Sequence, residues 1–279
     1  VALAFVKMQG LGNDFVVVDR RDFGAPVAPA EARGLCDRRL GIGADGVLSL
    51  LPSRLAPFAM QVTNSDGSTA EMCGNGLRCV VRYAIDRALL PESGGDVETG
   101  RGVLKSFVEA NGDIRVDMGP PVLDPTHVPV RLPGSSIVSA PIEVSGERLR
   151  VTAVSMGNPH AVVFLDPGQD LRAWAERIGP VLEQHPAFPN RTNVELARIT
   201  APGEIELVVW ERGAGLTQAC GTGACATVVA AILNDRARCE ETWRVRLPGG
   251  PLRVQVTQGF GRVWMTGPAV EVFHGEAVS

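Results

Sequence analysis

Two kinds of apolar pattern alternate along this chain. Short runs dense in β-branched residues, "FVVVD" at 15–19 and "AVVF" at 161–164, follow Gly-Asn turns and predict strands. A second pair, "FAMQVTN" at 58–64 and "EIELVVWE" at 204–211, predicts strands that each run into a cysteine loop. Beyond each loop the apolar spacing changes to that of a helix, and then to the strict alternation of a hairpin. The two helices differ. Leu77–Leu90 carries Arg78, Arg82, Asp86 and Arg87, so one side is expected to meet solvent or an interface. Ala224–Leu233 has no charge at all, which predicts burial on every face.

The pattern occurs twice because the sequence does. "MCGNGLRCVVRYAI" at 72–85 lies over "ACGTGACATVVAAI" at 219–232. "LGNDFVVVD" at 11–19 lies over "MGNPHAVVF" at 156–164, "VLKSFV" at 103–108 over "PLRVQV" at 251–256, and "GPPV" at 119–122 over "GPAV" at 267–270. All four pairs keep one order and nearly one spacing, the mark of an internal repeat. The chain is therefore read as two homologous halves, residues 1–119 (joined by the segment 268–279) and 120–267. The Pro-rich stretch from Gly119 to Pro133 is read as the linker. The expected fold is α+β: two pseudo-symmetric domains, each a curled, mostly antiparallel sheet about a central helix, with the active site in the cleft between them.

Composition narrows the field. The 279 residues are 45% hydrophobic, enough for full cores, and the formal net charge of −4 gives no footprint for nucleic acid. No apolar run is long enough to span a bilayer and no export signal is read at the start, so no membrane partner and a cytoplasmic location are expected. Six cysteines in such a context are expected to be reduced thiols. None forms a CxxC pair and only four His are present, so no metal site is expected.

Cys73 and Cys220 each stand before Gly-X-Gly at a helix start. That end of a helix is positive and its first N–H groups lack helical partners. A thiolate there is stabilised, and a substrate carboxylate can be held by the same N–H groups. Two such thiols facing one α-carbon would suit removal of a proton from one face and delivery to the other. For Cys36, Cys79, Cys225 and Cys239, which lack the Gly-X-Gly context, packing is the expected role. "GIGADG" at 41–46 lacks the third glycine of a dinucleotide loop and is read as a turn at the cleft rim.

"GLGNDFVVVD", "NSDGSTAEMCGNGLRC", "GNPHAVVF", "RTNVE" and "ERGAGLTQACGTGACA" together closely resemble the diaminopimelate epimerase family. The resemblance runs from Gly10 to about Gly267. It implies a pyridoxal-independent, metal-independent epimerase acting on LL- and meso-diaminopimelate, on the route to lysine and peptidoglycan, with Cys73 and Cys220 as bases. It implies that Gly74, Asn75, Gly221 and Thr222 bind the reacting carboxylate. Asn13, Asn64, Asn158, Asn193, Glu211 and Arg212 match substrate-contacting positions, and His160 and Glu211 match auxiliary ones. A homodimer is expected, as relatives form dimers. Two departures bear on local polarity: Gly46 where some relatives have Gln, and Leu216 where many have Glu. The residues alone leave two other readings, a racemase for a different carboxylate and a non-catalytic metabolite-binding protein. The first lacks a need for Asn64, Asn193 and Arg212; the second leaves the thiol pair without a use.

Overall fold

The computed structural model describes residues 2–70 and 72–278; Val1, Glu71 and Ser279 lie outside the described residues. The chain divides into two compact units, Val1–Asp117 with Thr266–Ser279, and Met118–Met265.

The first unit begins with β1 (Leu3–Gly10) and β2 (Asn13–Asp19), a hairpin closed by Leu11 and Gly12, both at positive φ. That is the turn whose twist matches the strands it joins. Helix α1 (Pro29–Cys36) then carries the chain over to β3 (Gly46–Leu51), parallel to β2. A parallel neighbour needs such a crossover, and its strands are buried on both faces. Val16, Val17, Val18, Val47, Leu48 and Leu50 are accordingly buried without alternation. Next come β4 (Ala59–Asn64), antiparallel to β3, the two-residue β5 (Thr69–Ala70), and helix α2 (Gly74–Asp86). The unit continues through β6 (Gly94–Thr99), parallel to β4, β7 (Gly102–Val108) and β8 (Ile114–Asp117).

The second unit repeats this plan. Its strands are β9 (Ala140–Val144), β10 (Glu147–Ser155) and β11 (Pro159–Phe164), followed by helix α3 (Leu171–Glu183). Then come β12 (Asn193–Ala201), β13 (Glu204–Glu211), β14 (Gly215–Leu216), helix α4 (Gly221–Leu233), β15 (Thr242–Leu247) and β16 (Gly250–Val256). The sense of pairing matches strand for strand: β10–β11 antiparallel, β11–β12 parallel, β12–β13 antiparallel, β13–β15 parallel, β15–β16 antiparallel. In this unit β9 flanks β10; in the first, β1 is flanked by the last strand. That strand, β18 (Val270–Ala277), follows β17 (Val263–Gly267) and returns the chain to the first unit.

Each sheet wraps one helix. Helix α2 packs on β1, β2, β3, β4, β6, β8 and β18, and α4 on β10, β11, β12 and β16. Helix α4 is buried from Gly221 to Ala231, as its uncharged sequence predicts. The outer helices α1 and α3 cover the other sides, α3 lying over β12, β13 and β9. The fold class is thus the α+β duplication expected.

Three expectations need correction. Arg78 does not lie on a solvent-facing side of α2; it is fully buried, donating from Nε to Pro268 O (3.2 Å) and from Nη2 to Asn75 Oδ1 (3.0 Å). The Pro-rich stretch is not a free linker, because Val128, Val130 and the nearby Ile137 are buried in the core of the second unit. Cys239 is only half-buried, unlike Cys36, Cys79 and Cys225.

Candidate active site

Cys73 and Cys220 are N-caps. Each holds extended backbone angles (φ −137°, ψ 114° and φ −118°, ψ 107°), and each sulfur accepts the N–H of the third helical residue, Gly76 or Gly223, at 3.4 Å. An N-cap side chain ordinarily satisfies this orphan donor with oxygen; here sulfur does it in both halves. A side chain at the third position would be crowded in both halves. A Cβ on Gly76 would stand 3.0 Å from Leu48 Cδ2, and one on Gly223 2.9 Å from Glu195 Oε1 and 3.2 Å from Cys220 Sγ.

Around Cys73 the first unit gathers two of the three expected asparagines. Asn75 Nδ2 donates to Asn13 Oδ1 (3.1 Å), and that oxygen lies 3.9 Å from Cys73 Sγ. Asn13 Nδ2 donates to Asp45 Oδ2 (2.7 Å), the last turn residue of "GIGADG" before β3. Behind it stands a charged cluster. Arg38 bridges Asp14 (2.7 Å) and Asp45 (2.9 Å), and the buried Lys7 pairs with Asp14 at 2.5 Å and donates to Gly43 O. Burial alone would raise the Asp14 carboxyl, but the Arg38 and Lys7 contacts outweigh it and hold Asp14 below the usual carboxylate range. Asn64 is elsewhere engaged, donating to Ser68 Oγ at 2.9 Å.

Around Cys220 the second unit builds a longer network. Thr222 Oγ1 lies 3.5 Å from Sγ and accepts from Asn158 Nδ2 (3.3 Å). Asn158 Oδ1 faces His160 Nε2 (3.0 Å), and His160 Nδ1 faces Glu195 Oε1 (2.6 Å); both side chains of this last contact are shut from solvent, His160 and Glu195 each being 0% exposed. Glu211, at the end of β13, accepts from Thr217 Oγ1 (2.6 Å) and interacts with the Cys220 thiol. Asn193 is buried under the following loop, donating to Pro159 O (3.1 Å) and accepting the Arg212 N–H (2.9 Å). The Arg212 side chain is exposed and donates to Asn190 O (3.2 Å). Leu216 packs against the core.

The electrostatics correct a simple reading of the helix mouth. Burial, then the nearby Glu211 and Glu195 carboxylates, push the Cys220 thiol well up, against the Thr222 and Gly223 contacts that favour thiolate. Burial raises Glu195 and Glu211 as well, with His160 opposing in the first case and Thr217 in the second. The helix N-terminus is thus opposed at Cys220 by burial and by the two neighbouring carboxyl groups. Buried Cys79 and Cys36 are also pushed up, to about 12 and about 11.

Sequence reasoning overlooked Glu195, Asp45 and Arg78. It also overlooked Glu183, whose carboxylate accepts from Trp210 Nε1 (2.8 Å) and the Gly213 N–H (2.9 Å) and so fixes the loop after Glu211. Two hollows of about 410 and 540 Å³ in the second unit are lined by other residues, among them Arg148 and Arg150 in one and Pro202 and Trp243 in the other. Among the described residues no group of three or more His, Cys, Asp and Glu side chains could hold a metal ion. No helix of the described residues is long and apolar enough to cross a membrane.

Comparison with known proteins finds one fold among solved structures and one family among sequences. Among solved structures, a probable proline racemase from Agrobacterium radiobacter superposes with a TM-score of 0.73 at 17% identity, over 99% of this chain and 93% of that one. A phenazine biosynthesis protein of the PhzF family from Bacillus anthracis gives 0.72 at 16%, over the full length of both. At such identities these share the fold alone. Sequence relatives are much nearer. A diaminopimelate epimerase of Synechococcus sp. (strain JA-3-3Ab) is 50% identical, over 98% of this chain and 97% of its own. The chloroplastic diaminopimelate epimerase of Oryza sativa subsp. japonica is 45% identical, over 99% and 80%. The diaminopimelate epimerase family model matches residues 5–123 and 152–272, one segment for each half of the repeat. With two N-cap thiols in one geometry, a duplicated fold and relatives of this identity, the chain belongs to the diaminopimelate epimerase family and is an epimerase, hence an isomerase.

Proposed function

We propose that this protein interconverts LL- and meso-2,6-diaminopimelate by two-base proton transfer at an α-carbon, with Cys73 and Cys220 as the two bases. The observation that carries the proposal is the pair of sulfur N-caps, alike in backbone angles and in the N–H each accepts. Inversion needs one acid/base group on each face of the carbon. One thiolate takes the α-proton; the electron pair left on carbon delocalises into the carboxylate; one thiol returns a proton on the opposite face. In one direction one cysteine is the base and the other the donor; the reverse reaction exchanges them. Gly74, Asn75, Gly221 and Thr222 occupy the first helical turns, where N–H groups have no partner within the helix and stabilise charge developing on the carboxylate.

Asn13 and Asn158 flank the two sulfurs and offer both donors and acceptors to an amino acid's polar atoms. The distal carboxylate of the substrate would meet the exposed Arg212 guanidinium, whose backbone Asn193 holds, and Asn64 would turn from Ser68 to join it. His160 and Glu211 assist at Cys220. The thiols supply both proton transfers, so the reaction draws on no pyridoxal and no metal. The meso product would feed lysine and peptidoglycan synthesis, in the cytoplasm, by a homodimer.

The test is deuterium wash-in at the α-carbon of LL-diaminopimelate in D₂O, with proline and glutamate as controls. Wild-type enzyme is expected to exchange diaminopimelate alone. Cys73→Ala and Cys220→Ala should each abolish epimerisation with the fold intact by circular dichroism. Near-normal turnover by either variant would sink the two-base mechanism.

A further inference from the structure

Helix α3 ends on Glu183, a carboxylate buried beside the turn that follows β13. Three donors converge on it. Oε2 accepts from Trp210 Nε1 (2.8 Å), Oε1 accepts the Gly213 N–H (2.9 Å), and Arg191 pairs with Oε1 from the loop after α3. Burial alone would raise this carboxyl, but the three contacts outweigh it and hold Glu183 below the usual carboxylate range. A buried charge is costly unless it is paired and hydrogen-bonded. Here the partners belong to two segments that meet at Arg212.

The first segment is the turn Glu211–Ala214, closed by the Ala214 N–H on Glu211 O (3.1 Å), with Gly213 at φ 80°. The two N–H groups in its middle are both taken by side chains: that of Arg212 by Asn193 Oδ1 (2.9 Å), and that of Gly213 by Glu183. The second segment is the loop 188–193. Arg191 holds φ 60° there, a conformation arginine rarely adopts, and its N–H donates to Phe188 O (2.9 Å). The Thr192 N–H donates to the Glu183 carbonyl (3.1 Å). This loop supplies Asn193 and also Asn190 O, on which the Arg212 guanidinium rests (3.2 Å). Glu183 thus grips both the backbone that carries Arg212 and the loop against which its side chain is laid. The Glu211 carboxylate is held separately, by Thr217 Oγ1 (2.6 Å).

Resting on the reading above in which Arg212 meets the distal carboxylate, we infer that Glu183 is a positioning residue: it fixes the turn Glu211–Ala214 and the loop 188–193 so that the Arg212 guanidinium is aimed before substrate arrives, and it thereby sets affinity for an amino acid with a second carboxylate while taking no part in proton transfer. A guanidinium already aimed loses less freedom on binding than one carried by a loose turn.

The experiment measures KM and kcat for diaminopimelate in wild type, Glu183→Met, Arg212→Ala and the double variant. Methionine keeps the length of the side chain and removes every acceptor. Glu183→Met should raise KM about tenfold, the effect of weakening one charged hydrogen bond, with kcat within about threefold of wild type. In the Arg212→Ala background the same substitution should add almost nothing, because both act on one contact. Should the Trp210 indole, left without an acceptor, prevent folding, Glu183→Met/Trp210→Phe removes that donor, and the same rise in KM is expected. Hydrogen exchange at the Gly213 amide, followed by NMR without substrate, should quicken at least about tenfold in Glu183→Met. An unchanged KM in the folded variants, an equal rise with and without Arg212, a fall in kcat with KM unmoved, or unchanged exchange at Gly213 would each overturn the inference. Wild-type protein that leaves diaminopimelate unturned overturns the reading of the substrate instead, and the exchange result then decides by itself whether Glu183 holds the turn.

Discussion

Alanine at Gly76 and at Gly223 is the same substitution at the same helical position, and the structure assigns the two different costs. Replacing glycine within a helix recovers about 0.5–1 kcal/mol of backbone entropy. At Gly76 the new methyl stands 3.0 Å from Leu48 Cδ2, the end of an aliphatic side chain. Turning that side chain off its preferred rotamer costs about 0.5–1.5 kcal/mol, so Gly76→Ala should lie within about 1 kcal/mol of wild type. At Gly223 the methyl stands 2.9 Å from Glu195 Oε1, an oxygen held 2.6 Å from His160 Nδ1 and unable to retreat without stretching that bond. A hydrogen bond with an ionised partner is worth about 1.5–3 kcal/mol. Gly223→Ala should therefore be net destabilising by about 1–2 kcal/mol. Urea midpoints for both variants, with equal m-values, measure the difference. Labelling of Cys220 should slow in Gly223→Ala, since the same methyl crowds Sγ at 3.2 Å. Equal stabilities for the two variants, or a Gly223→Ala protein more stable than wild type, would refute the reasoning.

Two further outcomes follow from the charged groups of the first unit. Asp14 is held below its unfolded pKa by Arg38 and Lys7, so its stabilising contribution is present above about pH 4 and is lost as pH falls through the lower folded value; Arg38→Ala should raise the pH of acid unfolding, read by circular dichroism, and an unchanged acid midpoint would count against the cluster. Arg78→Met should cost about 2–3 kcal/mol in urea unfolding, because Asn75 Oδ1 and Pro268 O lose a charged donor in a buried place; a variant as stable as wild type would show that neither acceptor depends on it.

The duplication and its paired cysteines were legible because they recur in order, and the sulfur caps followed from Gly-X-Gly at a helix start. What stayed hidden was hidden for local reasons. Helix α3 contains Gly179 and Pro180, which read as breakers, yet Gly179 lets the helix lie against Trp210: a Cβ there would meet the indole at 2.6 Å. Glu195 alternates with the buried Val194 and Leu196 and so reads as the solvent face of a strand. That face of β12 lies under α4, so the carboxylate is enclosed. Arg78 reads as a surface charge, and is buried because backbone oxygens from Gly74 and Pro268 take its hydrogens. In each case the pattern gave the periodicity, and tertiary packing decided which side was inside.

The first unit is closed by β18, which pairs with β1 from Leu3↔Ala277 to Gln9↔Val270. On the ribosome this strand emerges only after the whole of Met118–Met265 has been made. At about 5–20 residues per second that is a delay on the order of ten seconds. During it the second unit, continuous in sequence, can complete its sheet, while β1 presents an open edge of unpaired backbone groups. Synthesis thus leaves the earlier-made half of the molecule to finish last, and places the period of greatest exposure to mispairing on the strand that leads into Asn13.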